Sequence, residues 1–394
     1  MFYHVSTGTK PGGTSLREGA VRAAVLGIVV LVVALAGPSL DRSSPLPEVS
    51  PSAAAGAYFD YLVIILLENH GICEILTSCG GSANYLTSLA NAYGYASQYH
   101  YCGVNPSLPN YLCLTGGSDF GCPGYDGDPQ SNGCTSDAWN ATNIVDRLEA
   151  ASLTWKAYME DMPSNCYGSN SGLYAVRHDP FVYYKDIATN PTRCARVVPS
   201  GSGAGVLLSD LGSISTASNY MWFTPNLCND MHDCGVGTAD GYLVNIVPEI
   251  LNSNVFKTQN AALFVTFDED HGGAVLAQWA GRGMKTGFVS SSPYTHFSLL
   301  STIEANWNLA PLTTNDQNAP NMAEFFSGQP GGGNYQPPTA FPLALVLLGG
   351  FGIFLAVIVV LLARRLRGTK SDRPPRRPRE PEEPGGETDF ESDL

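Results

Sequence analysis

The chain has 394 residues, 35 of them acidic and 21 basic, for a formal net charge of −14. So acidic a balance repels polyanions and excludes a general nucleic-acid binder, while leaving room for a local cationic or metal-centred anion site. The negative charge is concentrated in residues 58–328, which hold 24 acidic and 9 basic side chains.

Residues 1–57 contain an apolar run, Ala20 to Gly37, with Arg17 and Arg22 at its N-terminal side, which reads as a signal peptide or a signal anchor followed by a Pro/Ser-rich spacer. Residues 329–339 are rich in Pro, Gly and Asn and read as a linker. Residues 340–363 are apolar and long enough to span a bilayer. Arg364, Arg365 and Arg367 follow at once, so residues 364–394 are expected to be cytoplasmic, and their composition predicts disorder. The expected location is therefore the cell membrane, single-pass or two-pass, with residues 58–328 facing outward as one domain. All ten cysteines lie between Cys73 and Cys234. An even count confined to an exported segment points to disulfides. Cys228 and Cys234 are close enough to close a small loop; Cys122 with Cys134 and Cys166 with Cys194 are further candidates. No CxxC pair is present to suggest zinc.

Within the domain, Tyr61 to Leu67 is a continuous apolar run, as expected for a strand buried on both faces. Ser82 to Gly94 has helical spacing. Asn105-Pro106-Ser107-Leu108-Pro109-Asn110 reads as a helix start, with Ser107 as the cap, a proline just inside and an amide three residues on. Asn143 to Ala151 is predicted helical, Leu153 to Met159 and Tyr220 to Thr224 extended, Gly241 to Leu251 helical, Ala261 to Phe267 a second strongly buried strand, and His296 to Trp307 helical. Strands alternating with helices argue for an α/β layered fold with a largely parallel sheet. Trp155 and Trp222 are expected in its core.

Polar clusters follow four of the strands: Glu68-Asn69-His70, Glu160-Asp161, Asn226 with Asn229-Asp230-Met231-His232-Asp233, and Asp268-Glu269-Asp270-His271. In parallel sheets ligands bind beyond the carboxyl ends of the strands, so these clusters are expected to share one rim. Glu68, Asn69, Asp268 and Glu269 are hard oxygen donors that suit one divalent ion such as magnesium, calcium or manganese. The Ser107 hydroxyl, in the positive end of a helix dipole, is placed to attack phosphorus and form a covalent phosphoenzyme. Asn110 would donate its amide to a phosphoryl oxygen. His178 and His232 would bind phosphate oxygens or protonate the leaving group.

Taken in order, ILLENH at 65–70, NPSLPNYL at 105–112, RHDPF at 177–181, TPNLCNDMHDC at 224–234, FVTFDED at 264–270 and YTHFSLLSTIE at 294–304 make a family pattern. From about Tyr61 to Phe326 the chain resembles the phosphoesterase family of bacterial acid phosphatases and phospholipases C, within the alkaline-phosphatase-like superfamily. The resemblance implies a three-layer αβα sandwich and hydrolysis through a metal-bound hydroxyl nucleophile. It puts Glu68, Asn69, Asp268 and Glu269 at the metal, Ser107 on the nucleophile, and His178 and His232 on the phosphate-binding histidines. This chain departs from the pattern at Asn105, where many relatives carry histidine; an amide can bind phosphate but cannot transfer a proton near neutral pH. It departs again at Glu269, where some relatives have aspartate.

The expectation is a membrane-anchored, outward-facing enzyme that hydrolyses phosphate monoesters. Phospholipase C activity is the close alternative, and a catalytically silent surface protein the rival from another class. Sulfate-ester hydrolysis on the same fold is disfavoured, because its C/S-x-P-x-R context would need arginine where Tyr111 stands.

Overall fold

The computed structural model describes residues 55–129, 137–270 and 272–327. The apolar runs at 20–37 and 340–363, the linker, the tail, Cys134 and His271 lie outside the described residues. Among those described, no helix is long and apolar enough to cross a membrane.

The elements that position the site are β1 (Tyr61–Leu67), α1 (Asn84–Ala92), β2 (Gly94–His100), α2 (Ser107–Gly116), α3 (Ile144–Ala150), β3 (Trp155–Met159), β4 (Val197–Pro199), β5 (Tyr220–Thr224), α4 (Val236–Asn252), β6 (Ala261–Phe267), β7 (Val275–Gly281), β8 (Phe288–Ser290), β9 (Tyr294–Thr295) and α5 (His296–Trp307). The strands form one sheet in the order β4-β3-β5-β1-β6-β7-β2-β8, with β9 beside β2. β4, β3, β5, β1 and β6 run parallel; β7 is antiparallel to both β6 and β2. This is an α/β fold on a mostly parallel, mixed sheet.

Every residue of β1, β6 and β7 is buried, so both faces of the sheet centre are covered. That is why β1 and β6 read as unbroken apolar runs rather than alternating ones. α2 packs on α5, and α1 on α4. α1 lacks a cap of its own; Asp240 of α4 accepts its Tyr85 and Leu86 N–H groups, each at 2.9 Å. Trp155, Trp222 and Trp279 are fully buried, which places the two expected core tryptophans as anticipated.

The predicted strands and helices are present, with ends shifted by a few residues; α4 begins five residues earlier than the spacing suggested. β2 and β7 were not anticipated. β2 (GYASQYH) interleaves polar residues with the partly exposed Tyr95 and the buried Tyr99, and β7 contains the buried Gln278. β7 closes on β6 at Gly281, whose φ is +136° and where a Cβ would meet the Ala261 carbonyl at 2.5 Å, so only glycine fits.

Disulfides join Cys73 to Cys79, Cys102 to Cys113 and Cys228 to Cys234. Cys122 is also disulfide-bonded. Cys166 and Cys194 are free thiols.

Candidate active site

Leu67 and Phe267 are in register at the carboxyl ends of β1 and β6. The next residues, Glu68 and Asp268, therefore emerge side by side. The Asp268 N–H continues the ladder to the Leu67 carbonyl at 2.9 Å, and the Glu68 N–H reaches the Asp230 carbonyl at 2.9 Å. Asn69 turns the chain with φ +53°, a conformation asparagine tolerates well. Its N–H then donates to Asp268 Oδ1 at 2.9 Å, and its Nδ2 lies 3.3 Å from Glu68 Oε2.

β5 lies on the other side of β1, and its following loop brings in Asp230 and His232. Glu160 and Asp161, expected on the shared rim, are instead used to fold that loop. Glu160 Oε2 accepts the Asn226 N–H and the Asn229 amide, each at 3.0 Å, and Asp161 accepts the Asn226 amide at 2.8 Å. The Cys228–Cys234 disulfide then closes the turn that presents His232.

Ser107 is the first residue of α2, and Pro106 occupies the cap position, so the serine is not the helix cap. Its hydroxyl donates to Glu68 Oε2 at 2.9 Å instead of accepting a helix N–H. The Leu108 N–H is satisfied by Asp126 Oδ1 at 2.9 Å. Pro109 sits in the first turn, where a missing donor costs nothing. The Cys102–Cys113 disulfide ties the preceding loop to the same helix. Tyr111, one turn after Ser107, donates its hydroxyl to Glu68 Oε1 and stacks on His178 with ring centroids 5.3 Å apart and planes 3° apart.

His178 is buried between two carboxyl groups. Its Nε2 is 3.3 Å from Glu68 Oε2 and its Nδ1 is 3.2 Å from Asp230 Oδ2. Burial, with the nearby charges of Arg177 and His232, holds its pKa well below the ordinary histidine range. A neutral imidazole offers one donor and one acceptor, which suits two flanking carboxyls of which one carries a proton. Burial pushes the Glu68 carboxyl well above its usual range, and the charges of Asp268 and Asp230 add to the rise. Asp230 and Asp268 are raised for the same first reason, and Asp268 is partly held back by the Asn69 N–H.

Three carboxyl groups with no buried cation among them make an electrostatically unfavourable core unless a cation joins them. Asp268 Oδ2 is buried without a hydrogen-bond partner among the described residues. Glu68, His178 and Asp230 each offer a donor atom within 4.8 Å of the others. Oxygen donors with one imidazole suit a divalent ion. The residues present thus fit a metal. Glu68 is common to two donor sets, Asn69 and Asp268 on one side and His178 and Asp230 on the other.

Glu269 stands apart from this group. Its Oε2 accepts Asn105 Nδ2 at 2.6 Å and Asn110 Nδ2 at 3.1 Å, and burial followed by the charge of Asp268 raises its pKa to about 8. The buried Asn110 amide also donates to the Val104 and Pro106 carbonyls at 2.8 and 3.3 Å. Its donors are therefore engaged in shaping the loop before Ser107. Asn105 is exposed at the mouth. His232 is exposed too; its Nδ1 is 2.7 Å from Asp233, which leaves Nε2 directed at Arg177. The buried His296 contacts the Asp268 carbonyl through Nε2 at 2.6 Å and supports that strand end from behind.

Sequence reasoning assigned no role to Asp230, Tyr111, Asp126 or Arg177. Asp230 lay within a motif already noted, and the spacing of four between Ser107 and Tyr111 puts both on one helix face.

The Phosphoesterase family pattern matches residues 80–281, more than half of the chain. The chain belongs to the Phosphoesterase family. That span includes Ser107, His178, Asp230, His232 and Asp268. This phosphoesterase is 28% identical over 287 residues to the phosphatidylinositol-3-phosphatase of Mycobacterium tuberculosis, covering 71% of this chain and 87% of that one. It is 25% identical over 312 residues to the phosphate-repressible acid phosphatase of Penicillium chrysogenum, covering 76% and 71%. Among solved structures, a protein in the alkaline phosphatase superfamily from Vibrio parahaemolyticus superposes with a TM-score of 0.45 at 14% identity, over 65% of this chain and 68% of that one. With acid phosphatase and phosphatidylinositol phosphatase relatives and the family match, this phosphoesterase is a hydrolase of phosphoric ester bonds.

Proposed function

We propose that this phosphoesterase is a metal-dependent phosphate monoesterase that works through Ser107 and a phosphoserine intermediate. The observation that carries the proposal is the Ser107 hydroxyl, 2.9 Å from Glu68 in a cluster of buried carboxyl groups. The phosphatidylinositol phosphatase and acid phosphatases among its relatives are named for monoester hydrolysis, which supports a monoester substrate over a phospholipid diester. The family resemblance supports the three-layer alkaline-phosphatase-like arrangement, and the apolar run at 340–363 with its arginine stop supports an outward-facing, membrane-anchored domain.

Glu68, Asn69 and Asp268 would hold the cation, with Glu269, His178 and Asp230 within the same rim. A bound divalent ion would supply positive charge opposite the phosphoryl oxygens and favour the ionised form of the serine. In the first half-reaction the Ser107 Oγ–P bond forms while the ester P–O bond breaks. The Ser107 proton leaves along the existing hydrogen bond to Glu68 Oε2. The leaving oxygen takes a proton from His232 Nε2, the exposed histidine, whose ring Asp233 orients. In the second half, His232 takes a proton from water as the water attacks phosphorus, the Oγ–P bond breaks to release phosphate, and Glu68 returns its proton to the departing Oγ. Asn105 holds the mouth through Glu269 and has no proton to give.

The test uses the full chain in detergent or vesicles, assayed on p-nitrophenyl phosphate and short-chain phosphatidylcholine with and without EDTA. Metal-dependent release of p-nitrophenol, with little lipid cleavage, is expected. Preferential headgroup release from the lipid would establish the phospholipase C alternative, and no turnover of either from folded protein would refute the enzyme mechanism proposed.

A further inference from the structure

Arg177 precedes His178 and is not used in the chemistry above. Its Nη2 lies 3.0 Å from His232 Nε2, and its Nε lies 3.3 Å from Asp126 Oδ2. The same Asp126 carboxylate accepts the N–H of Leu108, the residue after Ser107. The guanidinium is thus held between the nucleophile helix and the exposed histidine, and its side chain keeps 19% of its surface open. A guanidinium carries five N–H donors, and these two contacts leave its remaining donors free to meet an anion. The rings of His178 and His232 are 5.5 Å apart, so the guanidinium on His232 Nε2 stands close to the buried histidine of the cluster.

We propose that Arg177 is a specificity-determining residue that reads the charge of the phosphate group and favours a dianionic monoester over a monoanionic diester. The inference rests on the phosphoesterase reading of this site. A monoester presents three peripheral oxygens carrying two charges; a diester presents two carrying one, with an alkyl group in place of the third. The fork of Arg177 matches the additional charged oxygen. Its movement onto that oxygen also releases His232 Nε2, the atom that must hold a proton for the leaving group. Asp126 fixes the waiting position of the guanidinium and contacts no reacting atom.

The experiment compares wild type, Arg177→Gln, Arg177→Lys and Asp126→Asn on p-nitrophenyl phosphate and bis-p-nitrophenyl phosphate, with inorganic phosphate as competitive inhibitor. Arg177→Gln is expected to lower kcat/KM for the monoester by about 10²-fold, the loss typical of one preorganised donor to a charged transition state. It should weaken phosphate inhibition in parallel while changing any diester turnover by less than about 5-fold. Arg177→Lys should fall between, keeping the charge and losing the fork, and decides the matter if the glutamine variant does not fold. Asp126→Asn retains an oxygen for Leu108 but loses the charge that holds the guanidinium, so it should lower monoester turnover by less than Arg177→Gln does. Equal losses on both substrates, an Asp126→Asn defect as deep as that of Arg177→Gln, or no monoester loss at all would each overturn the inference. Absence of wild-type turnover would instead count against the phosphoesterase mechanism itself.

Discussion

Replacing Asp230 with asparagine removes one buried negative charge while keeping an oxygen to accept the His232 N–H, which Asp230 Oδ1 now receives at 2.8 Å. Donor atoms of Glu68, His178 and Asp230 lie within 4.8 Å of one another. Two full negative charges at such a separation repel by about 3 kcal/mol at an effective dielectric of ~20. Metal-free Asp230→Asn should therefore be more stable than wild type at pH 8, by about 1–3 kcal/mol, or roughly 3–8 °C in Tm for a domain of this size. The sign follows from the raised carboxyl pKa values. Carboxyls raised in the folded state keep protons that the unfolded chain has lost, so the wild type loses stability as pH climbs above the unfolded value near 4. The advantage of asparagine should accordingly shrink towards pH 4. A divalent ion at a hundred times its Kd should stabilise the wild type by about 2.7 kcal/mol, and the variant should recover less of that increment. The assay is a thermal scan in EDTA and in excess Mn²⁺ or Mg²⁺ at pH 5 and pH 8. An Asp230→Asn protein that melts below wild type in EDTA at pH 8 would refute the argument that these carboxyls await a cation.

Tyr111→Phe should keep the stack on His178 but leave Glu68 Oε1 without its donor; metal affinity or kcat is expected to fall about 10- to 100-fold, measured by metal titration of turnover. Unchanged metal dependence would show that the tyrosine does not orient Glu68. Glu304 is buried against Asp316, and burial with that neighbour's charge raises its pKa to about 9. Its contribution is thus present at low pH and is lost as pH rises from about 4.5 through about 9, a swing of at most ~6 kcal/mol. Glu304→Gln mimics the protonated form, so it should be near neutral at pH 5 and stabilising at pH 9.5 in denaturant titrations. Equal effects at both pH values would contradict the assigned cause.

The positions of Glu68 and Asp268 could be read from sequence because each ends a strand buried on both faces, and adjacent parallel strands then set the two carboxyls side by side. Ser107 could be placed at a helix start for a similarly local reason. Its hydrogen bond could not, because Pro106 takes the cap position and the partner, Glu68, is 39 residues away. The sequence places Asp230 on the rim, but its role is not legible there, because its loop is folded by Glu160 and Asp161 from another strand end and by a disulfide, none of which local spacing reveals. For β2 and β7, polar residues interrupt the apolar signal although the sheet buries most of their surface. Glu304 and Asp316 meet only through the turn held by Thr313, whose N–H donates to Asp316 Oδ1 at 2.9 Å.

The most direct test of the central claim is to trap the covalent intermediate. The full chain, loaded with divalent metal, would be mixed with phosphate-labelled monoester, quenched in acid and mapped by peptide mass spectrometry. The mechanism predicts a phosphoserine at Ser107 that forms within one turnover, disappears on a chase with unlabelled substrate and is absent from Ser107→Ala. Turnover with no labelled serine at any quench time, or label carried instead by His178 or His232, would contradict it.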